Sequence, residues 1–168
     1  MSQTLFTSIQ DSILNIYLDN SQYANSFGLR EAEQLSEELN DAALEKVKAL
    51  VFQSSSSRFF CTGGNLSFYA HQKTKKEGLE SNLFIRNTLD HLSQIPIPSL
   101  CVVDGDCFGG GMELLSCFDT VISTPHSFFG FWQRRIALSF GWGGGQRWRN
   151  NLPATTLRTL MLQARSMS

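Results

Sequence analysis

Residues Leu100–Asp119 read LCVVDGDCFGGGMELLSCFD. Leu100–Val103 is an apolar run that predicts a buried strand. Gly109, Gly110 and Gly111 follow, and Met112, Glu113, Leu114, Leu115 and Cys117 then form a short apolar run of helical character. A glycine turn that feeds a helix leaves backbone N–H groups unpaired at the positive end of the helix dipole. Such a turn suits an anion, or an oxygen that becomes anionic during a reaction. Glu113 falls in the first helical turn, close to whatever those N–H groups hold. The alternative, and the default for an isolated glycine run, is a close-packed strand-to-helix turn with no ligand.

The same residues exclude other glycine motifs. A dinucleotide fingerprint needs G-x-G-x-x-G, but Gly109 and Gly111 are followed by Leu114. A P-loop needs Lys and Ser or Thr after its last glycine, and Met112 stands there instead. No G-x-S-x-G nucleophile elbow occurs in the chain.

Outward from this stretch, the pattern alternates short strands with amphipathic helices. Leu5–Ile9 and Ile13–Leu18, around Gln10, Asp11 and Ser12, predict a hairpin. Asp19–Ser26 is polar and turn-like. Between Gly28 and Leu44, residues Leu29, Ala32, Leu35, Leu39 and Ala43 recur at helical spacing, with acids on the other face. Val47–Phe52 predicts a strand, Ser54–Ser57 a polar loop, and Phe59–Leu66 a strand with a second glycine turn. Residues 70–78 read as a mobile polar loop ahead of a helix over Leu79–Leu92, with Leu83, Leu89 and Leu92 on its apolar side. Pro96 and Pro98 stop that helix. Thr120–Ser123 predicts a buried strand, Phe128–Gly130 a return, Gly141–Gly145 a third glycine cluster, and Pro153–Ala164 a final helix. Strands followed repeatedly by a helix define an α/β class.

With 168 residues, the chain has the length of a single domain with a real core. No apolar run approaches membrane-spanning length, and the first residues lack the basic and apolar regions of a signal peptide. Cys61, Cys101, Cys107 and Cys117 form no CxxC pair, which predicts buried reduced thiols, a cytoplasmic location and no zinc. His71, His91 and His126 have no metal-ligand spacing, so no metal site is expected. Charge is divided unevenly: all fifteen acids lie at or before Asp119, against eight Lys and Arg, a net of −7. Residues 120–168 carry six Arg and no acid. Such a basic segment can meet phosphates, or an acidic surface of its own fold or of a neighbouring subunit; because the Arg residues alternate with apolar ones and form no tract, nucleic acid is the weaker option. Lys73, Lys75 and Lys76 read as a solvated face, and Phe131, Trp132, Trp142 and Trp148 as core or interface residues.

Three glycine sites in this order resemble the crotonase (enoyl-CoA hydratase/isomerase) superfamily. Phe60-Cys61-Thr62-Gly63-Gly64-Asn65-Leu66 is similar to its F-x-A-G-A-D-L turn. Asp104-Gly105 through Gly109-Gly110-Gly111-Met112-Glu113-Leu114 is similar to N-G-x-x-x-G-G-G-x-E-L, and Phe129-Gly130 with Gly141-Trp142-Gly143-Gly144-Gly145-Gln146-Arg147 to F-G-x-P-E … G-x-G-G-T-Q-R-L. Asn25 falls where the family has the Asn of R-N-A-L. The resemblance implies a crotonase-like spiral of ββα units forming one core domain over residues 1–168. It implies an acyl-CoA thioester substrate from fatty acid metabolism, with coenzyme A present only as part of that substrate and no covalently bound cofactor. It also implies an oxyanion hole made by the N–H groups of Gly64 and Gly110, with Thr62, Gly63, Asn65, Leu66, Gly109 and Trp142 along the substrate.

The chain departs from the family pattern in two places. Hydratases of the family use two glutamates; the first is present as Glu113, while Gln133 takes the second position. No acid follows Asp119, so no shift of register supplies one. An amide accepts no proton near neutral pH, which turns the expectation from hydration to isomerisation or decarboxylation, with Glu113 as acid/base and Gln133 as a polar substitute. The Trp142-Gly143-Gly144 variant is similar to some decarboxylating relatives. For Glu113 the alternative is a helix-terminal carboxylate favoured by the dipole. The rival reading for the whole chain is a catalytically impaired binding or assembly module. The second departure is length: the family continues past the position of Ser168 with helices that complete the acyl pocket. A chain without them is expected to leave apolar surface exposed and so to self-associate or take a partner, with a homo-oligomer, trimer or hexamer, in keeping with the family and no membrane or nucleic-acid partner.

Overall fold

The computed structural model describes residues 3–40 and 44–168. β1 (Leu5–Gln10) and β2 (Ile13–Leu18) pair antiparallel in register Leu5↔Leu18 to Gln10↔Ile13. Asp11 and Ser12 join them, both at positive φ (51° and 63°), the conformation that matches the twist of a two-residue hairpin. Leu14, Ile16 and Leu18 alternate inward along β2. From β2 the sheet continues in parallel through β3 (Ala49–Ser54), β5 (Ser99–Val103) and β7 (Thr120–Ser123). Parallel neighbours need crossovers, and helices supply them. α1 (Leu29–Glu38) lies between β2 and β3; α2 (Leu66–Ala70) and α3 (Lys75–Leu92) lie between β3 and β5. α1 and α3 pack against each other.

A second, three-stranded parallel sheet is made of β4 (Phe59–Cys61), β6 (Asp106–Phe108) and β8 (Phe129–Gly130). Each of its strands follows a strand of the first sheet and precedes a helical segment. After β6 comes α4 (Gly110–Leu115); after β8 come a 3-10 turn at Trp132–Ile136, α5 (Gly144–Asn151) and α6 (Ala154–Gln163). The repeat is therefore ββα, as the resemblance implied. Leu50, Phe52, Phe60, Cys61, Cys101, Val103 and Cys107 are buried in one shared core. Phe52 meets Phe60 edge-on at 6.1 Å and Phe118 at 5.5 Å, tying the two sheets together. Full burial of each such side chain is worth about 1.5–3 kcal/mol.

Several sequence expectations need correction. All four residues of β7 are exposed, where Thr120–Ser123 reads as a buried strand, because β7 is the edge of its sheet and pairs, among the described residues, with β5 alone. The loop expected over residues 70–78 ends early: Thr74 Oγ1 accepts from Glu77 N, and Glu77 Oε2 accepts from Thr74 N, so α3 begins at Lys75. Leu83 is 43% exposed instead of lying on the apolar side, and Ile85, Leu89 and Leu92 form the buried face. In α1, Glu31 is buried rather than solvated; it accepts from Thr4 Oγ1 (2.8 Å), Gly28 N (2.9 Å) and Asn20 Nδ2 (3.3 Å). Ala43 lies outside the described residues. The four cysteines are free and buried, and burial pushes the Cys61 and Cys117 thiols up to about 12. Among the described residues no helix is long and apolar enough to cross a membrane.

Candidate active site

β4 and β6 run side by side, so the turns that leave them are neighbours. After β4, Gly63 has a φ of 95°, and a Cβ there would stand 2.7 Å from Gly110 N. Only glycine lets this turn press against the start of α4. The turn is pinned by Phe27 N donating to Gly63 O (2.9 Å) and Thr62 Oγ1 donating to Ala24 O (2.9 Å). After β6, Gly109 (φ 55°) donates its N–H to Gly130 O at 2.9 Å, and Gly110 opens the helix. Gly64 and Gly110 are half-buried, and among the described residues neither N–H donates to an acceptor of the chain. Two touching turns thus present the free donors that an oxyanion pair would need.

Glu113, in the first turn of α4, is 2% exposed. Its Oε1 accepts from Gly141 N (3.2 Å), and its Oε2 accepts from Trp142 N (2.8 Å) and Gly144 N (3.0 Å). A Cβ at Gly144 would lie 2.5 Å from Glu113 Cγ, so the third glycine cluster is a seat for this carboxylate. Burial pushes the Glu113 pKa up; the N–H groups of Gly144, Trp142 and Gly141, and then Arg147, pull it back, and burial prevails. Arg147 braces the loop from below. It is buried, donates to Trp142 O (2.7 Å) and Ser116 Oγ (3.0 Å), and pairs with Asp90. That pair joins the basic last part of the chain to its acidic first part.

Trp142 lies across both glycines. A Cβ on Gly110 would stand 2.4 Å from its Cζ3, and one on Gly64 would stand 3.4 Å from its Cζ2. The indole Nε1–H donates to Asn82 Oδ1 (3.2 Å) and to Tyr69 Oη (3.3 Å), while the Tyr69 hydroxyl donates to Asn82 Oδ1 (2.9 Å). Burial raises the Tyr69 pKa. Tyr69 and Asn82 are site residues that the sequence reading missed; no local motif marks them.

The remaining expected residues are dispersed. Asn65 caps α2 by accepting from Phe68 N (3.2 Å), and Leu66 is 57% exposed. Gln133 sits in the 3-10 turn with both side-chain amide atoms buried and unpartnered. Among the described residues no hydrogen bond joins it to Glu113, Gly64 or Gly110. Asn25 is a buried structural residue: it accepts from Asn20 N (2.8 Å) and donates to Ser54 Oγ (2.7 Å) and Phe59 O (2.8 Å). Thr62 lines a cavity of about 630 Å³ with Phe59, Asp106, Phe108 and Trp132. Among the described residues no group of three or more His, Cys, Asp or Glu could hold a metal ion.

The sequence pattern of the enoyl-CoA hydratase/isomerase family matches residues 8–168, and the chain belongs to that family. It is 28% identical over 130 residues to ethylmalonyl-CoA decarboxylase from Gallus gallus, covering 77% of this chain and 44% of that protein. It is 26% identical over 124 residues to the mitochondrial methylglutaconyl-CoA hydratase of Mus musculus, covering 72% and 38%. The enoyl-CoA hydratase structure from Bacillus anthracis superposes with a TM-score of 0.91 at 24% identity, over 99% of this chain and 65% of that one. The chain spans between a third and just under half of the length of these curated relatives.

Proposed function

We propose that this chain binds an acyl-CoA thioester with its carbonyl oxygen between the N–H groups of Gly64 and Gly110, and that it promotes decarboxylation or double-bond isomerisation rather than hydration. The observation that carries this reading is the pair of unpaired donors on two turns in contact. A thioester carbonyl gains negative charge as an enolate forms, and each preset donor lowers that barrier by about 3–4 kcal/mol. Gly63, Gly109 and Trp142, which adjoin Gly64 and Gly110, are the residues proposed to flank the thioester, with Thr62, Asn65 and Leu66 farther out, and coenzyme A enters as part of the substrate. Decarboxylation suits a site with one carboxylate. The bond from Cα to the carboxylate breaks, CO2 leaves, the electron pair passes into the enolate, and Glu113 returns a proton to Cα. A carboxyl held above its ordinary pKa carries that proton closer to neutral pH. Gln133, its amide atoms buried and unpartnered, supplies no base to activate water. For the assembly we propose a homo-oligomer, because β7 presents an unpaired edge carrying Val121 and Ile122.

One observation favours a second reading, a binding module without turnover. Glu113 already accepts three N–H groups, as a purely structural anchor would. Rates of CO2 release from ethylmalonyl-CoA and of water addition to crotonyl-CoA, in wild type and Glu113→Gln, separate the two. The lead reading expects CO2 release without hydration, slowed by about 10²–10⁴-fold in the variant. Turnover unchanged by Glu113→Gln removes the acid/base role, and bound thioester with no turnover leaves the binding module.

A further inference from the structure

Trp142 is fixed from three directions. Asn82 on α3 and Tyr69 on α2 share its indole N–H, and the Tyr69 hydroxyl closes the triangle by donating to Asn82 Oδ1. Phe27 packs edge-on against the ring, with centroids 6.0 Å apart at 62°. The fourth side is the glycine pair: Trp142 carbons occupy the space where a Cβ of Gly110 would be, and the Tyr69 ring stands 2.9 Å from that of Gly64. With Trp142 only 4% exposed, the space beside both glycines is filled by aromatic carbon that cannot swing away without losing its hydrogen bonds. An aliphatic side chain would yield to a ligand by changing rotamer; a ring hydrogen-bonded at Nε1 and packed on both sides will not.

We propose that Trp142 sets the largest acyl group this chain accepts, and that Tyr69 and Asn82 are positioning residues that hold the indole in place. The inference rests on the thioester reading and goes beyond it by naming the substrate class. An oxygen held by Gly64 and Gly110 places the acyl carbons next to the residues the indole touches. The class is therefore small aliphatic acyl groups, with aryl-bearing groups excluded. A rigid apolar wall discriminates by about 10–200-fold for size changes as small as a methylene. Removing the indole opens an apolar cavity at that place, and such cavities accept apolar groups of matching size.

The test is calorimetric titration of the full chain with acetyl-CoA and phenylacetyl-CoA, in wild type, Trp142→Ala and Tyr69→Phe. The wild type is expected to bind acetyl-CoA at least about tenfold more tightly. Trp142→Ala is expected to bring the two ligands to within about threefold by strengthening phenylacetyl-CoA, as a cavity left by truncation would. Tyr69→Phe, which keeps the ring and removes the hydroxyl, is expected to narrow the ratio in the same direction. A merely structural role would weaken both ligands alike and leave their ratio unchanged, and that result overturns the proposal. Should Trp142→Ala fail to melt cooperatively, the ratio in Tyr69→Phe decides on the same terms. Binding of neither ligand by the wild type overturns the thioester reading and this inference with it; binding of both with equal affinity overturns the inference alone.

Discussion

Glu113 accepts three N–H groups of one loop, so its charge and the position of Trp142 are linked. Burial holds its pKa above the ordinary value in the folded chain. Between the unfolded and folded values the native state then binds more protons than the unfolded one. The resulting stability is complete below the unfolded pKa and is lost as pH rises through the folded pKa. Urea midpoints measured from the ordinary carboxylate range upward should fall in wild type more steeply than in Glu113→Gln. Equal slopes would show that the N–H groups and Arg147 cancel the burial. At this scale the glycines were legible in sequence for a physical reason: Gly63 and Gly109 need positive φ, and Gly63 a close backbone approach, so the chain has little choice of residue there. Glu113 was legible through its place after them. Tyr69 and Asn82 were not, because they act on an indole 73 and 60 positions away, and nothing in their local pattern encodes that distance.

At the scale of elements, α3 depends on its first turn. Thr74 and Glu77 exchange hydrogen bonds in a capping box, and Glu77 Oε2 also accepts from Lys73 N at 2.8 Å. Thr74→Ala should cost about 0.5–2 kcal/mol in urea unfolding, with the loss expressed through α3, which carries Asn82. An unchanged midpoint would mean that the packed face of Ile85, Leu89 and Leu92 holds the helix without its cap. The Thr-x-x-Glu signature stood in the sequence but was masked by the lysines around it, which made residues 70–78 read as a loop. β7 failed for a different reason. Thr120–Ser123 has the composition of a buried strand, and composition does not tell an edge from a centre. The hairpin and α6 were readable because their turn residues and Pro153 mark their ends locally. The short strand β6 offered too few residues for a period to register.

Across the whole molecule, the exposed edge at β7 adjoins an apolar cavity of about 280 Å³ lined by Val121, Met112, Phe131 and Leu160 among others. A bare edge beside apolar surface favours association. Sedimentation is expected to show an oligomer for the wild type, and Val121→Lys with Ile122→Lys should shift it towards monomer at equal concentration. A wild type that sediments as a monomer would remove the assembly proposal. The Arg147–Asp90 pair shows one destination of the basic last part of the chain, an acidic partner within the same fold. The central claim concerns two amides, and a Cβ at Gly110 would strike Trp142, so a spectroscopic reading is cleaner there than a substitution. The most direct measurement is the amide resonance of Gly64 and Gly110 in chain labelled at its 13 glycines, titrated with acetyl-CoA and, separately, with free coenzyme A. A saturable downfield shift of both resonances with acetyl-CoA, absent with coenzyme A, is the predicted result. Bound acetyl-CoA that leaves both resonances where they were would contradict it.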